Sequence, residues 1–132
     1  MSYQIAKQDG GQFAVTFTGE PDYCRALSMA PESMEPELAE GLWLVLVFAV
    51  WSVPDRRAIA VALTAVKDLG GRVRLGVRPC DDPGETTGWC PEVEDGGATP
   101  QWLVLRDGRL VDARVGLLPP DELAALLAQH LA

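Results

Sequence analysis

Leu42-Trp43-Leu44-Val45-Leu46-Val47-Phe48-Ala49-Val50-Trp51 runs without interruption into Ser52-Val53-Pro54-Asp55. The first ten residues are all apolar and show no alternation. That is the pattern of a strand buried on both faces, in the middle of a sheet with helices above and below. The run is far too short to span a bilayer. Ser52 to Asp55 is a turn with helix-start chemistry. The helix it opens runs from about Pro54 to Leu69, with Ile59, Leu63 and Val66 at helical spacing and Gly70-Gly71 as its stop. Arg72 to Arg78 then alternates, placing Val73, Leu75 and Val77 on one face of a strand.

Outward from this β-α-β core, residues 79–99 are rich in Asp, Gly, Pro and Thr and read as a long loop with room for a short helix. Trp102 to Arg106 is a strand, Asp107-Gly108 a two-residue hairpin turn, and Arg109 to Val115 the returning strand. Pro119-Pro120-Asp121-Glu122 opens a last helix whose apolar stripe is Leu123, Leu126, Leu127 and Leu131. Upstream, Tyr3 to Lys7 and Gln12 to Thr18 flank Asp9-Gly10-Gly11, as a hairpin or as one long strand with a break. Pro21-Asp22 predicts a short helix over 22–29, stopped before Pro31. Residues 31–41 read as an exposed loop with one helical turn at 36–40. The order β, α, β, α, β, hairpin, α predicts an α/β fold with a central mixed sheet flanked by helices on both faces.

The chain has 132 residues, 48% hydrophobic and 23% charged, and no internal repeat. This is one domain, long enough to build a core without metal or disulfide staples. Its net charge is −8. Seven acids against two bases (Lys7, Arg25) lie in residues 1–42, and Asp81, Asp82, Glu85, Glu92, Glu94 and Asp95 lie in 81–95 with no base. Such a balance gives a solvated surface or, in a sharper reading, one that selects basic partners. It disfavours nucleic acid and a membrane surface. The N-terminus lacks the pattern of a signal peptide, so the expected location is cytoplasmic. No zinc, calcium, phosphate-loop, dinucleotide or nucleophile-elbow motif occurs, and no metal or cofactor is expected.

Several strings together resemble thioredoxin. That family carries an apolar strand ending in Trp-Cys-Gly-Pro-Cys at the start of a long helix, and residues 45–55 are similar, with Trp51 and Pro54 in register. Thr99-Pro100 resembles the family's cis-proline dipeptide, followed by an apolar strand. Arg106-Asp107-Gly108 matches the family hairpin, and Val115-Gly116 the approach to the last helix. The resemblance spans residues 42–132 and implies a thioredoxin-like core there, preceded by a divergent N-terminal segment, 1–41, that supplies an extra strand or hairpin.

The departures bear on function. Thioredoxin chemistry needs a thiolate at the helix N-terminus and a resolving thiol three residues on. Those positions are Ser52 and Asp55, and the family's buried aspartate is matched by Leu46. Ser52 reads as an N-cap bonding an amide near Asp55, and Asp55 as a first-turn acid that suits the helix dipole. What the resemblance leaves is a shallow groove for extended peptides, matched by Trp51, Thr99, Pro100 and Gly116. The expected function is therefore a redox-inactive, non-enzymatic thioredoxin-like protein that holds a protein or peptide partner as chaperone, adaptor or subunit. The alternative is a thiol–disulfide enzyme or redox-regulated protein using Cys80 and Cys90, a pair able to close only if their Cα atoms approach within about 7 Å. Cys24 reads as packing and His130 as a favourable charge at a helix C-terminus.

Overall fold

The computed structural model describes residues 2–93 and 97–131. Glu94 and Asp95 lie outside them. Strands β1 (Tyr3–Lys7) and β2 (Phe13–Phe17) form an antiparallel hairpin of their own. The main sheet contains β3 (Cys24–Ala26), β4 (Leu42–Ala49), β5 (Arg74–Cys80), β6 (Gln101–Arg106) and β7 (Arg109–Val115), in the order β3-β5-β4-β6-β7. β3 and β4 both run parallel to β5, while β6 is antiparallel to β4 and to β7. Helix α1 (Val53–Asp68) makes the crossover from β4 to β5, α2 (Thr86–Trp89) follows β5, and α3 (Pro120–Gln129) closes the chain.

Every residue of β4 is buried, because the strand sits between β5 and β6 and is covered on both faces. Leu44, Leu46 and Phe48 face Ile59, Ala62 and Val66 of α1 and Leu123 and Leu127 of α3, with Tyr3, Ile5, Phe13 and Phe17 of the hairpin packed against the same cluster. Trp43, Val45 and Val47 face the other way, onto Leu27, Leu38, Trp89, Cys90 and Val93. The two long helices thus belong to one face. The opposite face is covered by the 3-10 turn Pro36–Ala39, the short α2 and the loops around them. Burial of each large apolar side chain contributes on the order of 2 kcal/mol.

The helix expected over 22–29 is not formed. Residues 24–26 are a strand, with Cys24 opposite Leu75 and Ala26 opposite Val77. Leu75 donates its N–H to Tyr23 O (2.8 Å) and Leu27 to Val77 O (2.9 Å). The Pro-Asp start signal serves a turn, and long-range pairing decides the rest. Gly76 leaves room for the Leu27 side chain, since a Cβ there would meet Leu27 Cδ1 at 2.7 Å. The strand expected over 72–78 is displaced to Arg74–Cys80, and its second face is not solvent-exposed: Arg78 and Cys80 are buried.

Candidate functional site

The entrance of α1 is built from backbone and two short polar side chains. Ser52 is the N-cap (φ −102°, ψ 115°), and its Oγ accepts a hydrogen bond from the Asp55 N–H at 3.3 Å. Asp55 is only 4% exposed, and its Oδ2 accepts from the N–H of Ala49 at 2.8 Å. The carboxylate therefore turns back onto the end of β4. Asp55 stands in the first turn, as its reading as a dipole-suited acid requires, and it is in addition a buried tie between strand and helix. Arg56 completes the turn, donating from Nε (2.8 Å) and a terminal nitrogen (2.5 Å) to Val50 O, while Tyr3 Oη donates to Arg56 O at 3.2 Å. Ser52 and Asp55 are both occupied in holding this turn.

Around it lies the exposed apolar surface. Trp51 is 68% exposed, Val53 54% and Leu117 61%, in a chain whose other three tryptophans are buried. The Trp51 indole N–H donates to Asp81 O over a long 3.4 Å. The Thr99–Pro100 peptide bond is cis, with Pro100 buried and Thr99 partly exposed. Pro100 O accepts the N–H of Gly116 at 2.9 Å, and Gly116 O accepts the indole N–H of Trp102 at 2.7 Å. Gly116 has φ +99°, which explains the glycine, because L side chains rarely adopt that region. Gln101 stands opposite both Val47 and Val115, so Pro100 and Gly116 reach the same end of the sheet at which β4 delivers Trp51. A groove of about 500 Å³ is lined by Pro54, Arg57, Ala58, Val61, Trp102 and Leu117 among others, next along the chain to Gly116, but Trp51, Thr99, Pro100 and Gly116 are not part of its lining.

The three cysteines are free and buried. Burial, then the carboxylates of Glu85, Asp55, Asp81 and Asp82, push the Cys80 thiol up to about 12. Burial and Glu92 also raise Cys90, against opposing hydrogen bonds and the charge of Arg78. Burial and Glu20 raise Cys24 to about 11, Lys67 opposing. Cys80 and Cys90 share one apolar cluster as thiols, and neither has the electropositive, accessible setting that makes a cysteine nucleophilic. Among the described residues, no three His, Cys, Asp or Glu side chains gather as a metal site, and no helix is long and apolar enough to cross a membrane.

Two buried polar residues near the site escape sequence reasoning. Gln101 is fully buried, its Oε1 accepting from Thr86 Oγ1 at 2.7 Å, which pins α2 to β6. Arg78, also fully buried, donates to Ser28 O (2.6 Å), pairs with Glu35 (2.5 Å) and lies over the Trp89 ring at 4.1 Å. It fastens the 28–35 segment to α2 across β5. An arginine alternating with valines reads as a solvent face, and nothing local marks it as a core ion pair.

No protein-family model matches the chain. It is similar to thioredoxin of Bacillus subtilis (strain 168), 28% identical over 100 residues, which cover 76% of this chain and 92% of that protein. Together with a central mixed sheet and three helices compatible with that fold, this homology supports a thioredoxin-like family for the chain.

Proposed function

We propose that this is a redox-inactive thioredoxin-like protein that binds a protein or peptide partner, as chaperone, adaptor or subunit, in the cytoplasm. The observation that carries the reading is the occupied entrance of α1. Where the thioredoxin-like pattern puts a nucleophilic and a resolving thiol, Ser52 caps the helix and Asp55 bonds the Ala49 amide. A serine hydroxyl and a carboxylate have no thiol–disulfide chemistry. The rival pair, Cys80 and Cys90, is buried, and both thiols are raised well above neutrality, which weighs against an enzyme built on them.

Binding is the function for which this end of the sheet is equipped. Trp51 offers a large exposed face beside the segment of Thr99, Pro100 and Gly116, in which Pro100 and Gly116 are tied to each other and the partly exposed Thr99 is the part an extended chain would meet. The test is a screen of the purified protein against an immobilised library of extended peptides, repeated with Trp51→Ala. Selective binding that Trp51→Ala abolishes supports the reading. A binding profile unchanged by that substitution refutes the assigned groove.

A further inference from the structure

Strand β7 is an edge of the main sheet: β6 pairs with one side of it, and among the described residues no strand pairs with the other. Its central residues are Val111-Asp112-Ala113-Arg114-Val115. Read in either direction the sequence is apolar, charged, small, charged, apolar, with the two charges opposite in sign. An edge with exposed amides invites pairing, and proteins usually block it with charges, prolines, bulges or cover. This edge has an irregularity at Val111, between Leu110 and Asp112, but no proline, and its two central charges are opposite in sign, so that they complement rather than repel a copy of themselves.

The outward groups of Ala113 are held by its two neighbours. Its N–H donates to Asp112 Oδ1 at 2.9 Å, and its C=O accepts from Arg114 at 2.9 Å. Asp112 and Arg114 also pair with each other across the edge. Val111 and Val115 are 42% and 47% exposed, two of the chain's few exposed large apolar residues. Glu92 meets the start of the strand at Arg109 and Leu110, while around Ala113 the edge is closed by two side chains that could make the same bonds to a copy of themselves.

We propose that β7 is a self-association surface, and that a second copy of this chain docks there antiparallel, centred on Ala113. In that register the Ala113 N–H and C=O exchange hydrogen bonds with those of Ala113 in the second copy. Val111 lies opposite Val115, which removes both from water. Asp112 lies opposite Arg114 and Arg114 opposite Asp112, at non-hydrogen-bonded positions where facing side chains are closest. Each intrastrand ion pair is traded for a cross-strand one, and His130, whose Nε2 lies 3.1 Å from Asp112 Oδ2, keeps its contact from the α3 side. The two sheets become continuous through a two-fold axis, the usual symmetry of a homodimer.

Sedimentation equilibrium of the full chain, at about 0.15 M salt to screen the long-range repulsion of two acidic copies, tests this. The wild type is expected to pass from monomer to dimer as concentration rises. Ala113→Pro should remain monomeric and folded, since the amide it removes is not part of the β6 ladder. Asp112→Arg sets like charges opposite each other and should weaken dimerisation about tenfold or more. The double variant Asp112→Arg with Arg114→Asp restores complementarity and should recover the dimer. Both of these variants lose the His130 contact equally, so their difference isolates pairing and holds even if the proline variant fails to fold. A wild type monomeric up to millimolar concentration overturns the proposal. So does a dimer indifferent to a folded Ala113→Pro, or a double variant no better than the single one.

Discussion

Asp55 reaches back six residues to accept the amide proton of Ala49, so one carboxylate joins the last residue of β4 to the first turn of α1. The bond is buried and short, and it fixes the turn that carries the exposed Trp51. Removing the acceptor leaves a buried N–H without a partner, which costs about 1–3 kcal/mol. Asp55→Ala should therefore lower the unfolding free energy by about that amount in urea melts. Asp55→Asn, which retains an amide oxygen at the same place, should lose much less.

Ser52 does a smaller version of the same work. Its Oγ caps one free amide of α1 at 3.3 Å, and Ser52→Ala should cost about 1 kcal/mol, the usual value for an N-cap. Installing thiols here has a related consequence. The double substitution of Ser52 and Asp55 by Cys should give a closable disulfide and weak reductase activity. It should also melt earlier, because the Ala49 amide loses its carboxylate. Far-UV thermal melts beside thiol titration by pH-dependent alkylation measure both. A pair that cannot close would mean that this turn lacks the geometry of a dithiol site.

The apolar run 42–49, the Ser52 cap, the Asp107-Gly108 turn and the last helix are all legible from local pattern, because each follows from near neighbours in the chain. Asp107 and Gly108 have φ of +50° and +82°, as a tight hairpin turn with a glycine allows. β3 is not legible: Pro21-Asp22 marks a helix start and a turn alike, and the parallel partner of Cys24 is Leu75, far along the chain. Asp55, Arg78 and Gln101 are hidden for the same reason. Polar residues are read as surface unless a partner is known, and their partners are Ala49, Glu35 with Trp89, and Thr86. At the candidate site, the residue types are visible in the sequence, while the burial of Asp55 and its bond to the Ala49 amide are not.

Arg78 and Glu35 should be strongly asymmetric under mutation. Glu35→Ala leaves a fully buried guanidinium without its counter-charge and should destabilise by about 3 kcal/mol. Pairing Arg78→Met with Glu35→Gln removes the charge together with its partner and should cost less than Glu35→Ala alone. Chemical denaturation of the three proteins decides it, and a double variant less stable than the single one would contradict this account of the pair.

The thiols set an alkaline limit. Cys80 is raised from 9.0 to about 12 and Cys24 from 9.0 to about 11, mainly by burial. The folded chain keeps these protons where the unfolded chain has lost them, so it binds more protons and its stability falls as pH rises above about 9. Cys80→Ala should flatten that fall between pH 9 and 12. Alkylation at pH 8 should be slow in the native protein and fast in denaturant.

An acidic counterpart lies at Asp112. Burial opposes its ionisation, but hydrogen bonds from His130, Arg114 and the Ala113 N–H outweigh it and hold the carboxyl below its ordinary 3.8. The stability this confers is complete above that value and is lost as pH falls through the lower folded one. Asp112→Asn should therefore show a shallower loss of stability below pH 4 than the wild type in acid titrations followed by circular dichroism.

Reduction of insulin by dithiothreitol, followed by turbidity with and without the purified protein, tests the central claim most directly. The occupied helix entrance predicts no acceleration over the uncatalysed rate, for the wild type and for Cys80→Ser alike. Turnover by the wild type that disappears in Cys80→Ser would contradict the account and give the chain to thiol–disulfide chemistry.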